Sequence, residues 1–295
     1  MDDIDSNIKP QFILSVIVPI TRMSERFNEL KSWIFASTEL PLQIILIHDI
    51  QDSLTGVELH EFINTYPGRN IKIIEGTYGS PGITRNQGLK LIHTTWVAFW
   101  DADDLPRPEA VLSAIRQTDN DVEVIIGNFV SNSGQSMIEN HHLCRLENVA
   151  INPALWRMVI RSSIIQGLNF NSCLMGEDQI FLIDLNLGSR RIYFSNEIFY
   201  EYFQFHPMQL TMNQKSVNEV SIAARLAKEK LQQNSKLRNI FSEIVLLRLF
   251  GTTLVRTRGL VRIKHLLINI NILVIPNWSS FVRFFSSISS SKKLK

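Results

Sequence analysis

WVAFWDADDLPRPE, residues 96–109, runs from a continuous apolar stretch into three carboxylates within four positions: Asp101, Asp103 and Asp104. Trp96 to Trp100 contains no polar residue, the pattern of a strand buried on both faces. Pro106 and Pro108 follow, and PEAVLSAIRQT has the spacing of a helix. Like charges held this close repel one another, and desolvating them is costly unless a cation compensates. Hard divalent cations such as Mg2+ and Mn2+ prefer carboxylate oxygens, with substrate phosphates completing the shell. Taken alone, the segment also reads as a solvated loop in which Asp103 or Asp104 caps the next helix.

The flanking sequence repeats the alternation. FILSVIVPI (12–20), LQIILIHD (42–49), NIKIIEG (70–76) and VEVIIGNF (122–129) read as further strands. SERFNELKSWIFAS (24–37), residues 55–66 and SPGITRNQGLKLIHTT (80–95) read as helices, the last with Ser80 as N-cap and Pro81 at its first helical position. Strands alternating with helices predict an α/β fold: a mostly parallel, doubly wound, Rossmann-like sheet flanked by helices. Ligands of such sheets bind beyond the carboxyl ends of the strands. Asp49 closes the second strand and therefore shares a rim with Asp101, Asp103 and Asp104. The pattern changes after about residue 130. Residues 152–167 and 177–188 read as helices, 190–203 as strand, and the chain from 216 onward as helical. The tail 286–295, SSISSSKKLK, is expected to be disordered.

Composition narrows the function. With 45% hydrophobic and 20% charged residues, the 295-residue chain belongs with globular proteins. A net charge of +2 excludes a strong whole-protein field, so any basic patch is local. No basic stripe with interleaved aromatics appears in the first 200 residues, which argues against nucleic acid. Two cysteines, Cys144 and Cys173, make neither a disulfide framework nor a metal cluster and suit a reducing cytosol. The polar start MDDIDSNIKP does not read as a secretory signal. LLININILVIP (266–276) is short for a spanning helix and is interrupted by Asn269 and Asn271. A cytoplasmic location follows as the expectation, with attachment at the inner face of the plasma membrane as a further option. The first strand leads into VPITRMSERF, which has no glycine. That counts against a nucleotidyltransferase, and the lack of GxGxxG there counts against a dinucleotide-binding oxidoreductase.

Six segments in order resemble the inverting GT-A glycosyltransferases of family 2, which include bacterial cell-surface polysaccharide enzymes. LSVIVPIT resembles the family's opening strand, IILIHD its nucleobase-binding strand, and GSPGITRNQGL its Ala-Arg-Asn-x-Gly helix start, with Thr84 in place of Ala. VAFWDADD resembles the Asp-x-Asp metal segment, GEDQIFL (176–182) the Glu-Asp motif with the catalytic base, and FQFHPMQLT (203–211) the segment bearing a later histidine. The resemblance implies a GT-A catalytic domain over 10–212, with a nucleotide half (10–130) and an acceptor half (131–212), then a helical extension over 213–285.

It also implies roles. Asp103, with Asp101 and His206, would hold Mn2+ or Mg2+. Asp49 would bind the base of a UDP-sugar, bordered by the backbone of Pro19 and Thr21; His48 stands where a second acid is usual. Asp101 would lie near the ribose. Gly82, Arg85 and Asn86 would face the nucleotide at a helix start, where N–H groups and arginine suit phosphate. Arg85 reads equally as an ion pair to the carboxylate segment. Asp178 would be the general base that deprotonates an acceptor hydroxyl of a glycan or lipid-linked saccharide. Glu177 would bind the acceptor or orient that base; alternatively both acids only complement the helix dipole. Trp156 would stack on a sugar or pack in the core. Gln204 and Gln209 flank His206 where the family more often has Arg and Ser. Arg248, Arg256, Arg258, Arg262 and Lys264, set among apolar residues, fit a membrane surface or packing on the catalytic domain. A catalytically silent nucleotide-sugar-binding or assembly subunit of the same fold is the alternative function.

Overall fold

The computed structural model describes residues 12–23, 26–66, 68, 70–134, 136–140, 145–204, 214–257 and 259–293. The first half is regular: β1 (Leu14–Ile20), α1 (Phe27–Ala36), β2 (Leu42–Asp49), α2 (Ser53–Thr65), β3 (Ile71–Gly76), α3 (Pro81–Leu89) and β4 (Trp96–Phe99). These four strands are parallel in the order β3-β2-β1-β4. Successive side chains point to opposite faces, and both faces are covered. Ile17, Ile45, Val97 and Phe99 enter one core, and Val16, Val18, Leu46 and Ala98 enter the other. α1, α2 and α4 (Pro108–Gln117) cover the second face through Trp33, Ile34, Leu59, Phe62, Val111 and Leu112.

The second half adds β5 (Leu105–Pro106), β6 (Val124–Asn132), β7 (Met137–Asn140), α5 (Leu146–Ile151), β8 (Met158–Arg161), α6 (Glu177–Asp184) and β9 (Ile192–Phe203). The sheet continues β4-β8-β6-β9-β5, with β7 paired on β6. β8 is antiparallel to both its neighbours, so Val159 lies between Ala98 and Ile125. This corrects the helix expected over 152–167. Only short 3-10 turns, Leu155–Arg157 and Ser162–Ile164, flank a four-residue strand. A short apolar run has no decisive period, and the gap between β4 and β6 supplies backbone partners on both sides. α3 also ends earlier than expected, at Leu89. The chain turns back to enter β4, and the Thr94 hydroxyl donates to the Trp96 carbonyl at 2.7 Å.

The chain ends in α7 (Gln214–Gln233), α8 (Ile240–Arg256), α9 (Gly259–Asn269) and α10 (Trp278–Lys293). Ala223, Ala227, Ile244, Val245 and Leu249 of α7 and α8 join Ile180 and Phe181 of α6 in the core that contains Ile17 and Phe99. The core therefore crosses the boundary expected near residue 212. α10 runs as helix to Lys293, into the segment expected to be disordered. Once its apolar first turns are nucleated, adding further turns is cheap.

Candidate active site

The carboxylate turn leaves β4 and is clamped by strand pairing. Leu105 pairs with Glu201 and Pro106 with Tyr200, so β9 runs directly behind it. Trp100 is buried edge-on to Trp33 at 5.4 Å. The Asp101 backbone N–H donates to the Tyr200 hydroxyl at 2.9 Å. Asp104 turns inward and is buried, accepting from the Phe203 backbone N–H at 2.9 Å. Burial, reinforced by Asp103 and Asp101, pushes its carboxyl well above the usual carboxylate range. Asp104 thus fixes β9 rather than capping α4, whose N-cap is Arg107 with no side-chain bond. Asp101 and Asp103 stay partly open. Arg26 reaches over the Phe203 ring to within 3.9 Å of the Asp103 carboxylate.

Asp49 ends β2 on the same rim. Its carboxylate accepts from the Gly79 N–H at 3.2 Å and the Tyr78 N–H at 3.4 Å, at a loop where Gly79 has φ 72°. Thr21 follows β1 beside it, exposed, and Pro19 pairs with Ile47. His48 is buried, with Nε2 3.0 Å from the Asp52 carbonyl and Nδ1 3.1 Å from Glu75. This accounts for the histidine where a second acid was the rule: it ties β2 to β3 and the start of α2.

Ser80 caps α3, accepting from the Ile83 N–H. One turn in, Arg85 is buried and forks. Nη2 donates to Asp101 at 2.8 Å and Nη1 to Glu177 at 2.8 Å. Burial opposes its charge, but Asp101, Glu177 and Asp178 outweigh burial and raise its pKa above the ordinary value. Two neighbours expected at the nucleotide also contact the loop before α6. Asn86 exchanges two 2.8 Å bonds with the backbone of Phe170. A Cβ on Gly82 would meet the Asn171 carbonyl oxygen at 2.2 Å, so glycine there admits the 170–171 chain. Both residues fasten α3 to the loop before α6.

α6 begins after Gly176, whose φ of 88° and whose crowding by Ala223 require glycine. Glu177 is buried and pushed up to about 7, by burial first and Asp178 second, with Arg85 opposing. Burial also raises Asp178, against Arg85 and Arg248. Asp178 lines a cavity of about 540 Å³ together with Trp156, Tyr202, Gln204, Arg248 and Arg256. Trp156 stacks on Tyr200 (4.4 Å) and Tyr202 (5.4 Å) and presents an aromatic wall. Arg248 crosses from α8 to the Gln179 side chain at 2.9 Å and the Ile151 carbonyl at 2.6 Å.

Asp101, Asp103, Arg85, Glu177 and Asp178 are therefore brought together, and Asp49 closes β2 on the same rim, with β1 between β2 and β4. His206 and Gln209 lie outside the described residues. Among the described residues no three His, Cys, Asp or Glu side chains gather as a metal site. Two partly exposed carboxylates nevertheless fit Mg2+ or Mn2+, which commonly takes one or two protein carboxylates and fills its remaining positions with phosphate and water. Sequence reading did not single out Tyr200 or Arg26, nor Arg248 as a site residue; no motif marks them, because each arrives from an element distant in sequence.

The glycosyl transferase family 2 profile matches residues 15–175, more than half of the chain. The protein belongs to this family. The match stops just before Glu177. Among solved structures, S. aureus TarS residues 1–349 in complex with UDP-GlcNAc is similar at a TM-score of 0.71 and 18% identity, covering 90% of this chain and 82% of that one. The same TarS fragment in complex with UDP gives 0.57 at 17% identity, covering 96% and 92%. Mannosyltransferase PcManGT from Pyrobaculum calidifontis, in complex with GDP-Man and Mn2+, gives 0.53 at 13% identity, covering 95% and 87%. At these identities the likeness is one of fold, and the fold is GT-A. No curated protein matches the chain.

Proposed function

We propose that the protein is a metal-dependent inverting glycosyltransferase that moves a sugar from a UDP-sugar to a hydroxyl of a glycan or lipid-linked saccharide in cell-surface polysaccharide synthesis. One observation carries the reading. Arg85 joins Asp101 of the Asp-x-Asp turn to Glu177, the neighbour of Asp178 and 92 residues from Arg85 itself. A donor carboxylate and an acid beside an acceptor-sized cavity thereby share one rigid fork. The UDP and UDP-GlcNAc held by TarS support the choice of a uridine donor.

In this reading Asp49 receives the uracil edge and Asp101 the ribose. A divalent cation held by Asp101 and Asp103 would act as a Lewis acid on the diphosphate leaving group. Trp156 and Tyr202 offer an aromatic face to the acceptor sugar. Asp178 takes the proton of the acceptor hydroxyl as the oxygen attacks the anomeric carbon from the side opposite the leaving diphosphate, and the configuration inverts. A raised pKa suits a base that works near neutral pH. Glu177 and Arg248 flank it and keep its orientation. The test is a calorimetric titration of UDP, GDP and CMP with Mn2+ and then with EDTA. Metal-dependent UDP binding that is lost in D103A supports the proposal. Absence of nucleotide binding under every condition favours the silent subunit.

A further inference from the structure

Charge is partitioned along this chain. All 28 acidic residues lie in 1–243, against 21 Lys and Arg, a net charge of −7. Residues 244–295 hold nine Lys and Arg and no acid, a net charge of +9. The same stretch carries exposed apolar side chains: Leu260 (83%), Leu267 (69%), Val274 (81%) and Trp278 (81%), with Ile263 and Phe285 about half exposed or more. A contiguous apolar face rimmed by polar groups marks an interaction surface.

The face is held outward. Glu243, the last acid in the sequence, is buried beneath it and accepts from the Ser280 hydroxyl at 2.7 Å and the Asn277 backbone N–H at 2.9 Å. Ile272 and Ile275 pack inward between the helices. No single helix among the described residues is long and apolar enough to cross a membrane. Residues 259–274 and 278–286 reach that length only together, and the pair is bent by 120°.

We infer that α9 and α10 form a docking surface for an anionic lipid bilayer, lying in the headgroup region rather than crossing it. Apolar side chains enter the acyl boundary while Arg262 and Lys264 meet anionic headgroups, the arrangement of interfacial helices; Arg283 of α10 is ion-paired with Glu147 of α5. Trp278 occupies the position that amphipathic rings favour. Charge complementarity selects this occupant: a second copy docked face to face would bring together two stretches, residues 244–295 of each, that carry Lys and Arg and no acid. The surface adjoins the cavity, since Arg256 lines it three residues before α9 begins. That the acceptor is membrane-anchored rests on the glycosyltransferase reading; bilayer binding does not.

The test is flotation of the full chain with phosphatidylglycerol/phosphatidylcholine (30:70) vesicles and with phosphatidylcholine alone. Each is run at 0.1 and 0.5 M salt, with UDP titration as a separate control of the active site. The expected result is binding to the anionic vesicles, at least tenfold weaker on the neutral ones or at high salt. L267E/V274E is expected to abolish binding with the circular dichroism melt and UDP titration unchanged, and K264E to weaken it. No binding to anionic vesicles, or binding untouched by L267E/V274E, overturns the inference. So does a lipid-free dimer in sedimentation velocity that L267E/V274E converts to monomer, which would identify a second copy as the occupant.

Discussion

Asp101 and Asp103 each keep 33% of their side-chain surface exposed, while Glu177 keeps 9%, and Arg85 holds Asp101 and Glu177 alike. The turn after β4 is pinned to Tyr200 by the Asp101 backbone N–H and to Phe203 by the Asp104 carboxylate, which leaves Asp101 and Asp103 partly exposed. The start of α6 is packed under α7 and α8, and burial there raises both acids. The same residue type therefore serves two chemistries. Open carboxylate oxygens suit a hard cation, whereas a buried carboxylate with a raised pKa suits proton transfer. Arg85 makes the two regions one unit, because neither acid can shift without disturbing the other.

Substitution of each acid separates these roles most sharply. D178N is expected to lower turnover about 100- to 10,000-fold with UDP affinity unchanged. D103A is expected to lose metal-dependent UDP binding with the same thermal stability. Turnover assays and calorimetry on the two variants check this, and loss of UDP binding in D178N would dissolve the distinction. R85M breaks the bridge itself. It strands a buried carboxylate, and removing one partner of a buried pair costs about 3–5 kcal/mol, read as a lowered urea midpoint. An unchanged midpoint would mean that the two regions are held independently.

A smaller effect lies in pH. Glu177 is raised from 4.5 to about 7, so the native state holds its proton more tightly than the unfolded chain. Its contribution to stability is full below pH 4.5, declines as pH rises, and is lost above about 7. The melting temperature of the wild type, compared with E177Q, should therefore fall between those limits and run parallel to it at higher pH. A constant difference across the window would remove the proposed contrast in protonation. Least in size, Y200F takes away the oxygen that receives the Asp101 N–H. A lost hydrogen bond of this kind is worth about 1 kcal/mol, measurable by denaturant titration, with a weaker response to Mn2+ expected beside it.

The parallel strands and the rim were legible because their signals are local. Apolar runs mark strands buried on both faces, Ser80 and Pro81 mark the start of α3, and the acids stand where β2 and β4 end. The family resemblance picked out Asp101, Asp103, Glu177 and Asp178, and the fold gathers them; that Gly82 and Asn86 clasp residues 170–171 had no local signal. β8 escaped because Met158–Arg161 has no period of its own and becomes a strand only between β4 and β6.

The sequence by itself determined which segments could be strands, which residues carry charge, and in what order the motifs come. These depend on side-chain period, capping and composition, all readable within a few residues. Only the tertiary structure decided that Tyr200 backs Asp101, that Arg85 reaches Glu177 92 residues away, and that Arg248 of α8 enters the cavity beside Asp178. Such contacts are set by how sheet and helices close around a shared core, and no local pattern encodes a distance between elements that meet only when the chain is folded.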